Sequence, residues 1–283
     1  MKQLLKNTTF HWVHYSAYEW KEDHNGILFL IPSSNAKLKL YNPLRDYPQM
    51  ILHAINIGLL CMNKNISQNI LKDEILHFAM SYGLLGFMPS LPTTPDFISY
   101  DKVYFTKNNF IFDESMHIEK YLSSFFPFNQ IRFLKKDDIS YWYISETAIA
   151  ALTAKLEDIP QTTIMSFQRE YAERYEWLTQ AFFDFAFLFI TSTFYYEDFN
   201  LIDNKQKNLY KQNISKFIGR TPTYKIKFLD KPTIIWNFNS LLSLIQMLVC
   251  LTLTDESALK LCPHCNKAFL ASHFCGETCK NTP

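Results

Sequence analysis

The spacing of apolar residues changes period several times along the chain. Residues 8–41 read as strands. Phe10, Trp12 and His14, and then the run Gly26-Ile27-Leu28-Phe29-Leu30-Ile31, are rich in β-formers. Pro32-Ser33-Ser34-Asn35 is turn chemistry, after which Leu38 and Leu40 alternate with lysines. The period lengthens near Asp46, where a helix is expected to start with Pro48 in its first turn. Ile51, Leu52, Ile55, Leu59 and Met62 follow at helical spacing. A second helix is predicted over 67–82, with Leu71, Ile75, Phe78, Ala79 and Tyr82 on one face and Gly83 at the C-terminal cap position.

Residues 84–96 hold Pro89, Pro92 and Pro95 and read as a connector, a candidate domain boundary. A hairpin is expected next. Val103, Tyr104 and Phe105 lead out, Lys107-Asn108 turns, and Phe110, Ile111 and Phe112 return. Asp113 would then cap a helix ending near Phe126. Residues 145–156 and 162–198 read as helices, broken at Pro160. In the second, Phe167, Tyr171, Leu178, Phe182 and Phe185 are spaced for burial, and Arg169, Glu170, Glu173, Arg174 and Glu176 form a solvated opposite face. A further hairpin is expected from 224–228 and 233–238 through Asp230-Lys231-Pro232. Asn239 or Ser240 then caps an apolar helix over 241–253.

Composition narrows the class. With 48% hydrophobic and 19% charged residues, the chain is globular, and 25 Phe and 16 Tyr imply an aromatic-filled core. A net charge of +1 argues against a polyanion as the partner of the whole surface and leaves room for a local basic patch. The most apolar run, 181–196, contains Asp184 and falls short of the roughly 20 residues a membrane span needs, so a buried helix and no membrane contact are expected. No secretory signal is legible, which points to the cytoplasm, where cysteines stay reduced.

That context decides how the end of the chain is read. Cys262, Cys265, Cys275 and Cys279 follow the spacing C-x2-C-x9-C-x3-C. A two-residue gap brings two sulfurs together in a tight turn, and cysteines four apart on a helical turn face the same way. Four thiolates suit one tetrahedral Zn²⁺ at about 2.3 Å, and a closed four-sulfur shell is structural. A short hairpin with Phe269 and Phe274 as its core would fill the interval between the pairs. Two disulfides or a redox-active Cys-x-x-Cys are the alternatives, and His264 or His273 could replace one sulfur. Cys61 and Cys250 lie on apolar helix faces and read as small buried residues. The segment from Leu259 onward, with Lys260, Lys267 and Lys280 against Glu277, is close to neutral once the metal and thiolates are counted. A phosphate-binding finger should be more basic.

Residues 261–281 resemble the C-terminal zinc ribbon of several uncharacterised bacterial protein groups. Cys262, Cys265, Phe269, Phe274, Cys275, Cys279, Lys280 and Asn281 occupy the shared positions, with Gly276 where Ser is usual and Lys280 where Arg is usual. More loosely, the ribbon is similar to CGNR-type zinc fingers that follow ABATE-type domains. The stretch Glu74-Ile75-Leu76-His77-Phe78-Ala79, with Tyr82-Gly83-Leu84-Leu85-Gly86, is similar to an N-terminal helix of such chains. The resemblance implies a regulator whose ribbon contacts nucleic acid or a protein.

No phosphate loop, nucleophile elbow or His-Glu-x-x-His motif is present, so no catalytic residue is assigned. His11 and His14 would face opposite sides of a strand, and His53, His77 and His117 stand singly on expected helices. The chain is therefore expected to be α+β: a mainly helical body with short β-hairpins and a small C-terminal zinc ribbon. Its regions would be 1–88 (α+β), 97–257 (helical body) and 258–283 (four-cysteine zinc ribbon). A zinc-binding regulatory or interaction protein is one reading of its function. The other is a helical small-molecule or partner-binding protein in which the ribbon is purely structural.

Overall fold

The computed structural model describes residues 5, 7, 8, 10–94, 96–128, 169–197, 203–215, 222–253, 259–262 and 264–270. The fold is mixed α+β, helices combined with small antiparallel strand pairs. Four strands come first: β1 (Trp12–Tyr15), β2 (Tyr18–Glu22), β3 (Leu28–Pro32) and β4 (Leu38–Tyr41). Helices α1 (Tyr47–Met62), α2 (Gln68–Tyr82) and the short α3 (Phe87–Ser90) follow. Then come β5 (Lys102–Tyr104), β6 (Ser115–His117), α4 (Ile118–Ser123), β7 (Glu173–Arg174), α5 (Tyr175–Glu197) and α6 (Asn204–Ser215). The hairpin β8 (Thr223–Phe228) and β9 (Pro232–Asn237), helix α7 (Leu241–Leu253), and the pair β10 (Leu259–Leu261) and β11 (Ala268–Leu270) complete the order.

The chain divides into two compact units, each assembled from separated segments. One comprises Met1–Phe10, Asn42–Phe78 and Leu178–Pro283; the other comprises His11–Tyr41 and Ala79–Trp177.

In the first unit α1 buries Met50, Ile51, Ala54, Ile55, Ile57 and Gly58. This face is rotated from the expected one, since Leu52, Leu59 and Met62 are only half-buried. Gly58 explains the rotation. A Cβ there would run into the backbone oxygen of Phe182 and against Ala186, so only a glycine lets α1 meet the α5 backbone so closely. Gly58→Ala is expected to destabilise by about 3 kcal/mol through overpacking, read as a lower urea midpoint at unchanged slope. Helix α5 buries Leu178, Phe182 and Phe185 as expected, and Phe182 meets Phe78 edge-on at 5.0 Å. Among the described residues no helix is long and apolar enough to cross a membrane. Ser240 caps α7, its Oγ accepting from the Ser243 amide at 3.0 Å.

In the second unit β1 pairs with β4 and β2 with β3, both antiparallel. The end of α2 is capped by side chains from this sheet region. Tyr41 donates its hydroxyl to the Tyr82 carbonyl at 2.7 Å and Trp12 its indole N–H to the Leu84 carbonyl at 2.9 Å. Gly83 supplies the left-handed turn between them, at φ 88. Tyr121, Tyr171, Phe87, Phe97, Phe125 and Phe126 are all fully buried, the aromatic core the composition implies.

Three expectations change here. The proline-rich stretch after Gly83, expected to be a connector, is buried over residues 84–92 and contains α3. The strand β5 pairs with β6, not with 110–112. Asn108 prevents the expected hairpin, because its Oδ1 accepts from the amides of Phe110 and Ile111 and curls the chain at once. Pairing resumes only at Ser115, so the following helix starts at Ile118 instead of Asp113. Finally, the helix expected over 162–198 is not continuous. Residues 173–174 form β7, paired antiparallel to β3. The helix expected over 145–156 lies outside the described residues.

Candidate metal centre

Cys262 and Cys265 sit in the turn that joins β10 to β11, which pair Leu259↔Leu270, Lys260↔Phe269 and Leu261↔Ala268. The Cys262 amide donates to the Lys267 carbonyl and the Asn266 amide to the Cys262 carbonyl, both at 2.9 Å. Asn266 takes the left-handed conformation, φ 53, that a non-glycine residue other than Asn or Asp adopts at a cost. The Cys-x-x-Cys is thus itself the hairpin turn. Of the interval between the two cysteine pairs, β11 pairs with the strand before Cys262, and the second half of the expected hairpin, residues 271–274, lies outside the described residues. Cys262 is buried and Cys265 exposed. The closed reversal thus carries two of the four thiols that a structural zinc would need. Cys275, Cys279, His273 and Phe274 lie outside the described residues, and His264 is exposed at the turn. Among the described residues alone, no three His, Cys, Asp or Glu side chains converge on a metal site.

The hairpin is not free-standing. On α1, Asn56 accepts from the Ala268 amide at 2.7 Å and donates to the Ala268 carbonyl at 3.2 Å. One carboxamide therefore satisfies both backbone groups of Ala268, as another strand would.

Cys61 and Cys250 are half-buried on their helices. Burial pushes Cys61 up to about 12 and raises Cys250, so both remain protonated and weak ligands. His53 meets the Glu74 carboxylate at 3.6 Å, a partner that local spacing did not suggest. Burial lowers its pKa more than the carboxylate raises it. His117 ends β6 instead of standing on a helix.

Glu173, expected on a solvated face, is 0% exposed. Its Oε2 accepts from the Leu85 amide at 2.8 Å. Its Oε1 accepts from Gly86 at 2.6 Å, Phe87 at 3.2 Å and the Tyr171 hydroxyl at 2.7 Å. Burial pushes the carboxyl up to about 7, against the pull of all four donors. Its oxygens are occupied by the protein's own groups, so this is a lock between β7 and the Gly83–Gly86 turn and not a catalytic base. The nearby Arg169 is likewise engaged, donating to the carbonyls of Ser34 and Ala36.

No protein-family model, curated protein or solved structure matches this chain.

Proposed function

We propose that the protein is a non-enzymatic, zinc-stapled interaction protein. In this reading Cys262, Cys265, Cys275 and Cys279 hold one structural Zn²⁺, the ribbon fixes the C-terminal strand pair onto α1, and the body carries the surface that meets a partner. The observation that carries it is the two-way hydrogen bond between Asn56 and Ala268. A ribbon evolved to swing onto DNA or RNA gains nothing from having its strand edge occupied by the body, whereas a staple requires it. The near-neutral charge of the ribbon supports the same choice. The likeness of residues 261–281 to CGNR-type ribbons supports the metal more than any partner, and reduced thiols suit a cytoplasmic setting.

Asn56→Leu tests this. It preserves side-chain volume but leaves the Ala268 amide and carbonyl without their partner, so docking should weaken by about 1–2 kcal/mol. If docking and metal binding are coupled, zinc affinity measured by chelator competition should fall about tenfold. Unchanged zinc affinity with an intact fold would return the ribbon to the role of an independent module.

A further inference from the structure

Three residues stand in a row across one face of the sheet formed by β2, β3 and β7. Lys21 pairs directly with Phe29, and Phe29 with Arg174, so their side chains share that face of the antiparallel ladder. Phe29 is 1% exposed and has a cation on each neighbouring strand. Phe128 packs edge-on against it at 5.8 Å, and Ile27 completes this apolar cluster. The Lys21 ammonium lies 4.4 Å from the centre of the Phe128 ring. The Arg174 guanidinium lies 5.7 Å from the centre of Phe29 and 5.1 Å from that of Trp177. A ring face attracts a cation but accepts none of the in-plane N–H groups of a guanidinium. Arg169 donates to the carbonyls of Ser34 and Ala36. Arg174 has no such acceptor among the described residues, and its buried Nε is left without a partner. A buried N–H in that state carries a desolvation cost that only an acceptor removes. Burial also lowers the Arg174 pKa, against the raising fields of Glu176 and Asp23.

The chemistry of the row selects its ligand. A half-buried guanidinium presents a planar pair of donors that matches the two oxygens of a carboxylate. The Cα atoms of Lys21 and Arg174 are two strand spacings apart, about 9.5 Å, a gap that two long side chains can close over Phe29. The charge already present limits the ligand to one negative charge. Lys21 and Arg174 are opposed by Asp23 and Glu176, the carboxylates whose fields reach Arg174. Asp23 is committed to the turn between β2 and β3, where it accepts from the amides of Asn25 and Ile27. A phosphate dianion would bring a second charge beside those acids. The half-buried surfaces of Phe128 and Ile27 suit an apolar body attached to the carboxylate. We propose that Lys21 and Arg174 form a binding site for a small carboxylate that carries an aromatic or aliphatic body. The carboxylate would receive the N–H groups of Arg174 and the Lys21 ammonium, and its body would cover Phe128 and Ile27. This inference is independent of the zinc and of the ribbon, since every residue it uses lies in the second unit.

Benzoate is the probe, with benzamide as its uncharged isostere and phenyl phosphate as a doubly charged aromatic ligand. Titrated into the full-length chain at about pH 7.5, benzoate should shift the Arg174 Nε–H resonance saturably and bind about tenfold more tightly than either comparison ligand. Arg174→Lys keeps the charge but removes the planar fork, and should weaken benzoate about tenfold. Lys21→Gln, at an exposed position, should weaken it about fivefold and leave the urea midpoint unchanged. Lys21→Glu should abolish binding, and this exposed variant decides the question if Arg174→Lys does not fold. The absence of a saturable shift up to about 10 mM benzoate would overturn the proposal. So would equal affinity for benzamide, tighter binding of phenyl phosphate, or benzoate binding that is unchanged in Lys21→Glu.

Discussion

Glu173→Ala is expected to destabilise the protein by about 3–5 kcal/mol, the scale reached when a buried, fully bonded charge is deleted. The amides of Leu85, Gly86 and Phe87 and the hydroxyl of Tyr171 all end on this carboxylate. Truncation leaves those donors without an acceptor beside a new cavity. Glu173→Gln keeps the shape but turns an amide NH₂ toward one of the donors, and should cost about 2 kcal/mol. The pH dependence separates charge from shape. The folded carboxyl titrates near 7, above its ordinary 4.5, so the folded state holds the proton more tightly. Stabilisation from this site is complete below about pH 4.5 and is lost as pH rises through about 7. Wild type should therefore gain on Glu173→Gln as pH falls across that window, by up to about 3 kcal/mol. Comparison with the glutamine variant cancels His14 and His53, whose lowered values act in the opposite sense, their contribution being lost as pH falls. Urea melts of both proteins at about pH 4.5, 6 and 7.5 measure the gap. A constant gap would mean that the four donors outweigh burial and keep the carboxylate ionised throughout.

Local pattern carries helix periodicity and caps but not the burial of Glu173. Helices α1, α2 and α7 were legible because periodicity and caps are local: Pro48 early in α1, Gly83 after α2, Ser240 before α7. The hairpin of β8 and β9 was legible for the same reason. A run such as Arg169, Glu170, Glu173, Arg174 and Glu176 looks identical whether it lies on water or whether one member is drawn inside. Glu173 goes inward because of donors at Leu85 to Phe87, more than eighty positions earlier, which no window of residues contains. A weak signal existed. Two glycines three apart, Gly83 and Gly86, both at positive φ, open the backbone amides that follow and call for an acceptor. The C-terminal strand pair divides in the same way. Its cysteine spacing was readable, but its attachment runs through Asn56, separated from Ala268 by 212 positions. Which face of the β8–β9 hairpin meets solvent was likewise not readable, since both faces carry residues that suit a strand.

Removing zinc is expected to reach beyond the ribbon. About one zinc per chain should be present after purification under reducing conditions, and about 20 residues around the cysteines cannot hold a fold without it. Read from the sequence alone, the loss would stop at Leu261 and leave the body intact. The Asn56 contact changes that expectation, because β11 is bonded to the middle of α1, the helix that also packs against α7. When the ribbon unfolds, Asn56 loses both backbone partners and the α1 surface beneath β11 is uncovered. Chelation, or Cys275→Ser, should therefore raise amide exchange within Tyr47–Met62 as well as after Leu259. If docking contributes about 3 kcal/mol, the thermal midpoint should fall by about 10 °C. The second unit supplies an internal reference, since Glu173 and its cradle share no residue with α1 or the ribbon. Exchange at Leu85, Gly86 and Phe87 should stay slow. Protection of α1 that survives metal removal would show the ribbon to be a detachable element, and a purified chain with no zinc and all six thiols reactive would remove the metal centre itself.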